Sequence, residues 1–465
     1  MVKADTAALD TVAELRGRLQ TYRRKNKPRR QLYESASLTN SLDIAVPPSV
    51  KQAIRVSCGF ASAAIDTMEE RMEFQGYLQA GHDDDKLGLK PIVNANALED
   101  EVSLATLDSL IHGIGFAVVG YGDNPDLPVI TAESVDHVTM DWDARKRAAI
   151  SAIVEHPADA KTGQVTKVDL YTPGLWQLVD LQKRTILDQR TLPGGILPVT
   201  PFVNRPYASQ MRGRSEISEP VRYYTEEAMR VMLRMSLAGE LFSVQQLIYL
   251  GLTEEDFEDA DGNLLDKWTM LMGRVRMLPR NEDGELPQVQ TIPASSPTPH
   301  IEQLNALAQM LAGETGIPVD NLGLVHANPA SADAISRAEA RLVRRIKKRQ
   351  RQFGRGWEKV ARDALWLRDG ALPSEAWEIT TRWGDAATET PAAAADGTTK
   401  LVGAGILPKE SQIVLDRIGV TPAEQAVIKA ERQAEAARAN LQLLLTGVTE
   451  PTSDASETTT LVDGA

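Results

Sequence analysis

A long amphipathic helical pattern from Glu219 to about Gln246 constrains the fold more than any other stretch of this sequence. Apolar residues recur along it at three- and four-residue steps, and Pro220 falls in the first turn, where its missing N–H costs nothing. At 1.5 Å per residue such a helix is about 42 Å long, which is too long for a small compact domain. We therefore expect a strut. Its apolar residues are Val221, Tyr224, Ala228, Val231, Met235 and Leu241.

We expect the chain to run outward along this helix and to run back along a second, shorter helix. Between Glu254 and Asp266 there are seven acids and no base. The runs GRVRMLP and LPQVQTIP then predict a pair of strands joined by a turn at Asn281–Gly284. The segment HIEQLNALAQMLAGETG predicts the return helix, because its leucines repeat at helical spacing.

The first 205 residues or so predict a mixed α+β unit. Helical patterns cover Thr6–Arg24, about Pro48–Met68 and DEVSLATLDSLIHGI, and the basic run RRKNKPRR is interpreted as a solvated connection. Six short β-rich runs separated by turn-forming residues follow, which indicates a meander of antiparallel strands. WEITTRW predicts one further strand, and three helices are expected after the alanine-rich hinge ETPAAAADG. The last twenty residues are polar and without periodicity, so we expect them to be disordered.

A loop rich in Pro, Asn and Gly, IPVDNLGLVHANPASADA, leads into a strongly basic helix. From Arg337 to Arg362 this helix has eleven Lys or Arg against two acids, in a chain whose formal net charge is −13. Its apolar stripe is Ile335, Ala338, Leu342, Ile346, Phe353, Trp357, Val360 and Ala364. Three interpretations of the positive charge stay open: a solvated face, contact with phosphates, or pairing with acidic surface on a neighbouring copy.

The sequence does not indicate an enzyme or a cofactor. It has no Walker A, G-x-S-x-G or H-E-x-x-H pattern, and its six histidines are not paired at zinc-ligand spacing. Cys58 is the single cysteine, so an intrachain disulfide is excluded. No apolar run reaches the roughly 18 residues of a membrane span. The negative net charge argues against a protein that coats nucleic acid broadly. We expect a non-enzymatic protein without cofactor or metal.

Three segments together carry a resemblance to a known family. They are GRSEISEPVRYYTEEA, ETGIPVDNLGLVHANPASADAISRAEARLVRRIKKRQRQFGRGWEKVAR and TTKLVGAGILPKESQIVLDRIGVTP. In this order they resemble the portal proteins, or head-to-tail connectors, of tailed double-stranded DNA bacteriophages. The chain is most similar to the branch found in long-tailed phages of actinobacteria.

The resemblance implies an α+β portal-type subunit whose parts follow one another in a fixed order. Residues 1–214 would form the wing, 215–245 the first stem helix, 246–298 the clip and 299–317 the second stem helix. Residues 318–334 would form the channel (tunnel) loop, and 335–385 would return to the wing as the basic helix and a strand. Residues 386–446 would form a helical crown, and 447–465 a disordered tail.

The resemblance also implies a function. Such proteins form a ring of about twelve copies at one capsid vertex, assembled in the host cytoplasm and retained in the virion. DNA is packaged through the ring by the terminase motor and is later ejected through it. The implied partners are the terminase large subunit, the head–tail adaptor protein, the major capsid and scaffolding proteins and double-stranded DNA, without a membrane. The alternative is a nucleic-acid-binding accessory protein that uses the basic helix 337–362.

Candidate residues follow for each of these roles. In the channel loop and the first turns of the basic helix, the candidates for DNA contact are Asn321, His326, Asn328, Arg337 and Arg341. In the clip, the candidates for docking the motor and the adaptor are Glu254, Glu255, Asp256, Glu258, Asp259 and Asp261. At the interface between copies, the candidates are Met235 in the stem, and Arg344, Arg345 and Lys348, which are expected to pair with acidic residues of the adjacent copy.

Overall fold

The computed structural model describes residues 2–3, 6–36, 54–79, 85–208, 212–242, 246–250, 288–293, 296–323, 332–387, 391–409, 411–420 and 422–446. The chain divides into two compact units, Met1–Ala386 and Ala387–Ala465. The acidic segment 251–287, the loop residues 324–331 and the tail 447–465 lie outside the described residues, and so do the predictions made for them.

The largest sheet has six antiparallel strands in the order β1-β9-β8-β7-β6-β5. After β1 (Val2–Lys3), its strands are β5 (Val138–Asp143), β6 (Ala148–Glu155), β7 (Lys167–Thr172), β8 (Leu175–Asp180) and β9 (Thr185–Thr191). Each strand from β5 to β8 pairs with the next along the chain, which confirms the predicted meander for five of its six runs. Short turns explain this order, since they join neighbouring antiparallel strands directly. The sixth run, IGFAVVGYG, lies in a different sheet, so its assignment to the meander was wrong.

Helix α1 (Thr6–Tyr33) covers one face of this sheet and is longer than the sequence predicts. Its Val12 and Leu15 pack against buried residues of β6, β7 and β8. The basic run RRKNKPRR belongs to the helix, so its interpretation as a solvated connection was wrong. Ion pairs account for the difference, because Arg23 and Arg30 reach Glu155 and Asp136 beside the sheet.

A second sheet forms the centre of the first unit. Its strands are β3 (Ile114–Gly120), β4 (Val129–Glu133) and β10 (Val199–Val203), in the order β10-β3-β4. Strand β3 is buried along nearly its whole length, as its apolar run requires. Helices α3 (Leu89–Ala95) and α4 (Leu98–His112) precede it, and α4 packs against β3 and β4.

Helix α2 (Phe60–Glu69) starts later than predicted. The sequence pattern places a helix from about Pro48, yet Ile54–Cys58 has no regular structure, and residues 37–53 lie outside the described part. In this stretch Val56 and Cys58 are buried, and Arg55 and Ser57 are exposed. Burial that alternates along an irregular segment therefore produces the apolar spacing that was interpreted as helical.

Two long helices form a pair that continues into two strands. Helix α5 (Glu219–Phe242) packs against α6 (Thr298–Thr315), and β11 (Gln246–Leu250) pairs antiparallel with β12 (Gln288–Ile292). The return helix and the strand at LPQVQTIP are confirmed. The prediction that α5 extends to Gln246 was wrong, because the run QLIYL forms a strand, in keeping with its β-branched and aromatic residues. GRVRMLP and the turn Asn281–Gly284 are outside the described residues.

The basic helix α7 (Ala332–Asp369) lies across two sheets. It packs on β3 and β10 and on a small sheet of β2 (Phe74–Gln79) and β13 (Ile379–Trp383). The ring of Trp357 stacks on Phe202 with centroids 4.5 Å apart. Gly356 permits this approach, because a Cβ there would lie 2.6 Å from the Phe202 ring.

The second unit contains three helices, as predicted: α8 (Pro391–Gly403), α9 (Gln412–Arg417) and α10 (Pro422–Thr446). The interpretation of ETPAAAADG as a hinge was wrong, because α8 begins at Pro391 and includes the alanine run. Helix α10 is exposed from Glu431 to Gln442. Among all helices that the structure describes, none combines the length and apolar character needed to cross a bilayer.

Candidate subunit interface on the basic helix

Helix α7 has a buried face that matches the predicted apolar stripe. Leu342, Ile346, Phe353 and Trp357 are at most 1% exposed, and the stripe continues through Val360 and Ala364. These residues confirm the prediction over six turns of the helix. The side chains of Ile335 and Ala338 lie outside the described residues. The buried face fixes which side of α7 is left for other contacts.

The basic side chains of α7 fall into two groups on different faces. Arg345 and Arg349 point inward, with side chains 18% and 5% exposed. Seven others are exposed, and one of them, Lys347, pairs with Asp385 at 3.1 Å. The remaining six recur at steps of four and three residues, on the side opposite the buried stripe. We call them the outer basic row: Arg337, Arg341, Arg344, Lys348, Arg351 and Arg355.

The inward arginines meet a single buried carboxylate, Glu216, whose side chain is 3% exposed. Arg345 Nη2 lies 2.7 Å from Glu216 Oε2, and Arg349 Nε donates to Oε1 at 3.1 Å. Arg205 Nη1 donates to Oε2 at 3.2 Å, and Asn204 Nδ2 donates to Oε1 at 3.0 Å. We call these five residues the Glu216 cluster. It gives both inward cations of α7 a carboxylate partner within the chain, although the three guanidinium groups outnumber the one carboxylate.

Burial alone would raise the pKa of the Glu216 carboxyl, but the three guanidinium charges outweigh burial and hold this pKa below its usual value. The cluster therefore stays ionised at neutral pH. Arg345 of the cluster and the nearby Arg341 also contact the C-terminal end of α6. Arg345 Nη1 and Arg341 Nη2 each lie 3.5 Å from the carbonyl oxygen of Glu314, and Arg341 also donates to the carbonyl of Gly313. Cations at a helix C-terminus interact favourably with the helix dipole.

The segment GRSEIS holds Glu216 in place immediately before α5 begins. Its backbone N–H groups donate to α4 and to the end of β10: Glu216 N to Leu110 O at 2.9 Å, and Arg214 N to Asn204 O at 2.7 Å. The Ser215 hydroxyl accepts a hydrogen bond from Ile217 N at 2.9 Å. The Glu216 cluster thus ties the start of α5 and the end of α6 to β10 and α7.

The structure changes the expected partner of Arg345. We expected an acidic residue of the adjacent copy, but Glu216 of the same chain occupies that role because α7 packs directly over the GRSEIS segment. Arg344 and Lys348 are exposed, and Met235 is half-buried on α5. Their place at an interface stays a prediction.

The predicted DNA-contact residues are only partly described. Asn321 is exposed in a short 3-10 turn, Val319–Leu322, where the sequence predicted neither helix nor strand. Arg337 is exposed, and Arg341 contacts the end of α6 as stated above. His326, Asn328 and all six acidic clip candidates lie outside the described residues.

The Glu216 cluster was missed in the sequence, and no local signal marks it. Glu216 lies 129 and 133 residues from Arg345 and Arg349, so its partners are set by the fold alone. The one local indication of the cluster is Glu216 itself, an acid between Ser215 and Ile217 in a segment that is buried in the fold.

A cavity of about 220 Å³ lies beside α1 and the ends of several strands. The charged groups that line it are engaged with one another or with a ring: Arg18 Nη1 lies 3.0 Å from Asp141 Oδ1, and the Arg212 guanidinium lies over the Tyr22 ring. Within the described part of the chain, no three His, Cys, Asp or Glu side chains are grouped to hold a metal ion.

Comparisons of the sequence with known proteins agree on one family. The family model described as "Phage portal protein, SPP1 Gp6-like" matches residues 17–438. The portal protein of Mycobacterium phage D29 is 28% identical over 395 residues, covering 81% of this chain and 79% of the relative. That of Mycobacterium phage L5 is 27% identical over 396 residues, with the same coverage. A chain of the solved "Virion of native gene transfer agent (GTA) particle" aligns with a TM-score of 0.42 at 15% identity, covering 78% of this chain and 90% of that chain.

The expected family is confirmed by this match, which spans both units of the chain. The matched residues include both long helices and the basic helix with the Glu216 cluster. The chain belongs to the SPP1 Gp6-like family of phage portal proteins.

Proposed function

We propose that this chain is the subunit of a portal ring of about twelve copies, through which DNA enters the capsid and later leaves. The family match over residues 17–438 carries this proposal, since portal proteins are structural components of the phage virion. The terminase motor would drive packaging, and head-completion and tail proteins would attach to the same ring. The chain itself would act as a conduit and not as an enzyme.

The long helices support assembly into a ring. Helices α5 and α6 bury one face against each other, yet large apolar side chains remain exposed on them. Tyr223 on α5 is 56% exposed, and Ile301 and Met310 on α6 are 46% and 47% exposed. Neighbouring copies in a ring would cover such side chains, which gains free energy for each apolar area removed from water.

The acidic segment and the loop supply the remaining roles in this proposal. The clip candidates Glu254 to Asp261 would dock the motor and then the first adaptor, because a concentrated negative charge steers a complementary partner. In the channel loop, Asn321, His326 and Asn328 would meet phosphates through neutral hydrogen-bonding groups that release DNA easily. Arg337 and Arg341 would approach DNA at the start of α7.

The ring is tested with the purified full chain. Light scattering coupled to size-exclusion chromatography, followed by negative-stain imaging, should show closed rings with a mass of about twelve copies. A chain that stays monomeric at every protein and salt concentration would contradict the proposal. Tight binding of DNA by that monomer, weakening steeply with salt, would support the accessory-protein alternative instead.

The clip role is tested by reversing three charges, Glu254→Lys, Glu255→Lys and Asp256→Lys. Rings should still form, while binding to the terminase large subunit should weaken and change its salt dependence. The matched control reverses three exposed acids elsewhere: Glu70→Lys, Asp123→Lys and Asp126→Lys. Equal motor binding by both variants would count against the clip assignment.

A further inference from the structure

The outer basic row of α7 is a preformed surface of positive charge. Its six residues span Arg337 to Arg355 and follow one another at steps of four, three, four, three and four residues. At 1.5 Å per residue the row is about 27 Å long. The opposite face of the helix is buried in the first unit, so the row from Arg344 onward faces away from its own chain, whereas Arg341 contacts the end of α6.

The row has few acidic partners within its own chain. Among the residues that the structure describes, Arg344, Lys348, Arg351 and Arg355 form no ion pair with a carboxylate. Glu339, the acid closest to the start of the row, is already paired with Arg71 at 2.8 Å. Like charges three and four residues apart repel one another on a helix. A partner with negative charge would relieve this repulsion.

We propose that the part of the outer basic row from Arg344 to Arg355 docks on acidic side chains of the adjacent copy in the ring. This inference rests on the proposed ring. The chain as a whole has a formal net charge of −13 although α7 is strongly basic, so the surface outside α7 is more acidic still. In a ring of identical subunits each row meets the next copy, and complementary charge then fixes the register between them.

The Glu216 cluster prepares the row for this contact. Arg345 and Arg349 anchor the inner face of α7 at the same turns from which Arg344 and Lys348 project outward. The helix therefore cannot rotate without breaking a buried ion pair. A surface held in its bound orientation loses less entropy when it associates.

Charge and function favour a protein partner over DNA. Six fixed cations per copy facing a channel would bind phosphates and release counterions, which gives tight binding that depends steeply on salt. A conduit has to let DNA pass, so such a row would retain what it should release. Facing an acidic neighbour, the same charges stabilise the ring and leave the channel free.

The test reverses three members of the row in the full chain: Arg344→Glu, Lys348→Glu and Arg351→Glu. The matched control reverses three exposed cations on sheet turns, Arg145→Glu, Lys146→Glu and Lys161→Glu, with the same change in net charge. We expect the control to assemble like the unmodified chain. The row variant should need about tenfold more protein for half-assembly, or should stay monomeric, while its circular dichroism is unchanged.

A second measurement identifies the contact directly. Rings are formed from a mixture of isotopically light and heavy chains and treated with a carbodiimide, which joins lysine to carboxyl groups at contact distance. Lys348 is the lysine of the row, and we expect its cross-links to join light to heavy peptides that contain Asp or Glu.

The outcomes separate this inference from the proposed function. If the unmodified chain forms rings and the row variant forms them equally well, the inference is overturned and the ring stands. If the row variant assembles normally but no longer binds a DNA duplex of about 30 base pairs, the row is a nucleic-acid site and the inference is overturned. If the unmodified chain never assembles, both proposals fail.

Discussion

At Glu216, one buried carboxylate holds three guanidinium groups that come from two distant parts of the chain. The carboxylate and Arg349 are almost completely removed from water, and the Arg345 side chain is 18% exposed. A buried ion pair adds little to the free energy of unfolding when compared with apolar residues of the same shape. Removing one partner is costly, however, because it leaves the others charged and unpaired. The cluster is therefore sensitive to the loss of its single anion.

We predict that Glu216→Gln lowers the free energy of unfolding by about 3 kcal/mol or more, because the arginines lose their counter-charge while the side-chain shape is kept. Urea unfolding followed by circular dichroism, at a protein concentration below ring assembly, measures the change. Glu70→Gln, at an exposed carboxylate, is the control and should change stability by no more than about 0.5 kcal/mol. Equal stability of the two variants would show that the cluster does not stabilise the fold.

His112 and Asp108 form a second pair of titratable side chains, one turn apart at the end of α4, with His112 buried and Asp108 26% exposed. Burial, helped by the charge of Arg30, lowers the pKa of His112 to about 4. Burial raises the pKa of Asp108 to about 6, although the N–H of Val135 acts in the opposite direction. His112 Nε2 lies 3.9 Å from Asp108 Oδ1. Both groups are therefore neutral over part of the mildly acidic range.

The two groups make opposite contributions to the pH dependence of stability. Protonation of His112 in the unfolded chain weakens the fold as pH falls from about 6.5 to 4. Protonation of Asp108 in the folded chain strengthens it as pH falls from about 6 to 3.8. Each contribution is at most about 3 kcal/mol, at 1.36 kcal/mol per pKa unit.

We predict that His112→Asn leaves only the Asp108 contribution, so that the free energy of unfolding declines less on acidification than in the unmodified chain. Asp108→Asn should make the decline steeper. Urea unfolding at about pH 7, 5.5 and 4.5 compares the three proteins. Parallel profiles for all of them would contradict the proposed protonation states.

At the scale of elements, the sequence predicts those parts whose signal is local. The meander was predictable because short turns join consecutive strands, and the buried face of α7 because its apolar residues repeat at helical spacing. Strand β2 was missed: FQGYLQ has a weak pattern, and its partner β13 is far along the chain, with Thr380 and Leu78 302 residues apart. Pairing of that kind is decided by the assembled core.

The candidate interface, too, was predictable from the sequence only in part. The excess of positive charge on α7 was visible in the sequence, but its division into inward and outward groups depends on how α7 packs. Arg345 was expected to pair with the adjacent copy together with Arg344, yet neighbouring positions on a helix point in different directions. Only the packed structure shows that Glu216 takes Arg345 and leaves Arg344 exposed.

The stem helix offers a test of assembly at this scale. Met235 is half-buried on α5, on the helix that pairs with α6. We predict that Met235→Asp prevents ring formation, because an unpaired charge would be buried between copies. Met235→Leu keeps the volume and apolar character and should assemble normally. Light scattering measures both, and rings of normal mass from Met235→Asp would remove Met235 from the interface.

At the scale of the whole molecule, charge is distributed unevenly between one helix and the rest of the chain. The net charge of −13 would let DNA slide past an acidic channel surface, since like charges repel. Under this proposal the basic residues of α7 serve the protein assembly, through the Glu216 cluster inside each copy and the outer basic row between copies. Contact with DNA is then left to the loop between α6 and α7 and to Arg337 and Arg341 in the first turns of α7.

The loop gives the last prediction, which separates assembly from DNA transport. It follows Gly316 at the end of α6 and precedes Ala332 at the start of α7, so two helices hold its ends. Loops held by rigid elements are usual positions for contacts with a moving ligand. We predict that deleting residues 323–327 leaves ring mass unchanged but lowers packaged DNA about tenfold, because the shortened loop no longer reaches the duplex.

The measurement is nuclease-protected DNA in capsid precursors that carry the variant ring. A control variant keeps the loop length and changes three side chains: Asn321→Ser, His326→Ser and Asn328→Ser. It should package less DNA than the unmodified chain if those side chains contact phosphates. It should package as much DNA as the unmodified chain if only the length of the loop matters. Normal packaging by the deletion variant would place the DNA contact elsewhere. If in addition the variant Arg344→Glu, Lys348→Glu and Arg351→Glu assembled normally but failed to package, the two roles would be exchanged, with α7 facing the DNA and the loop serving assembly.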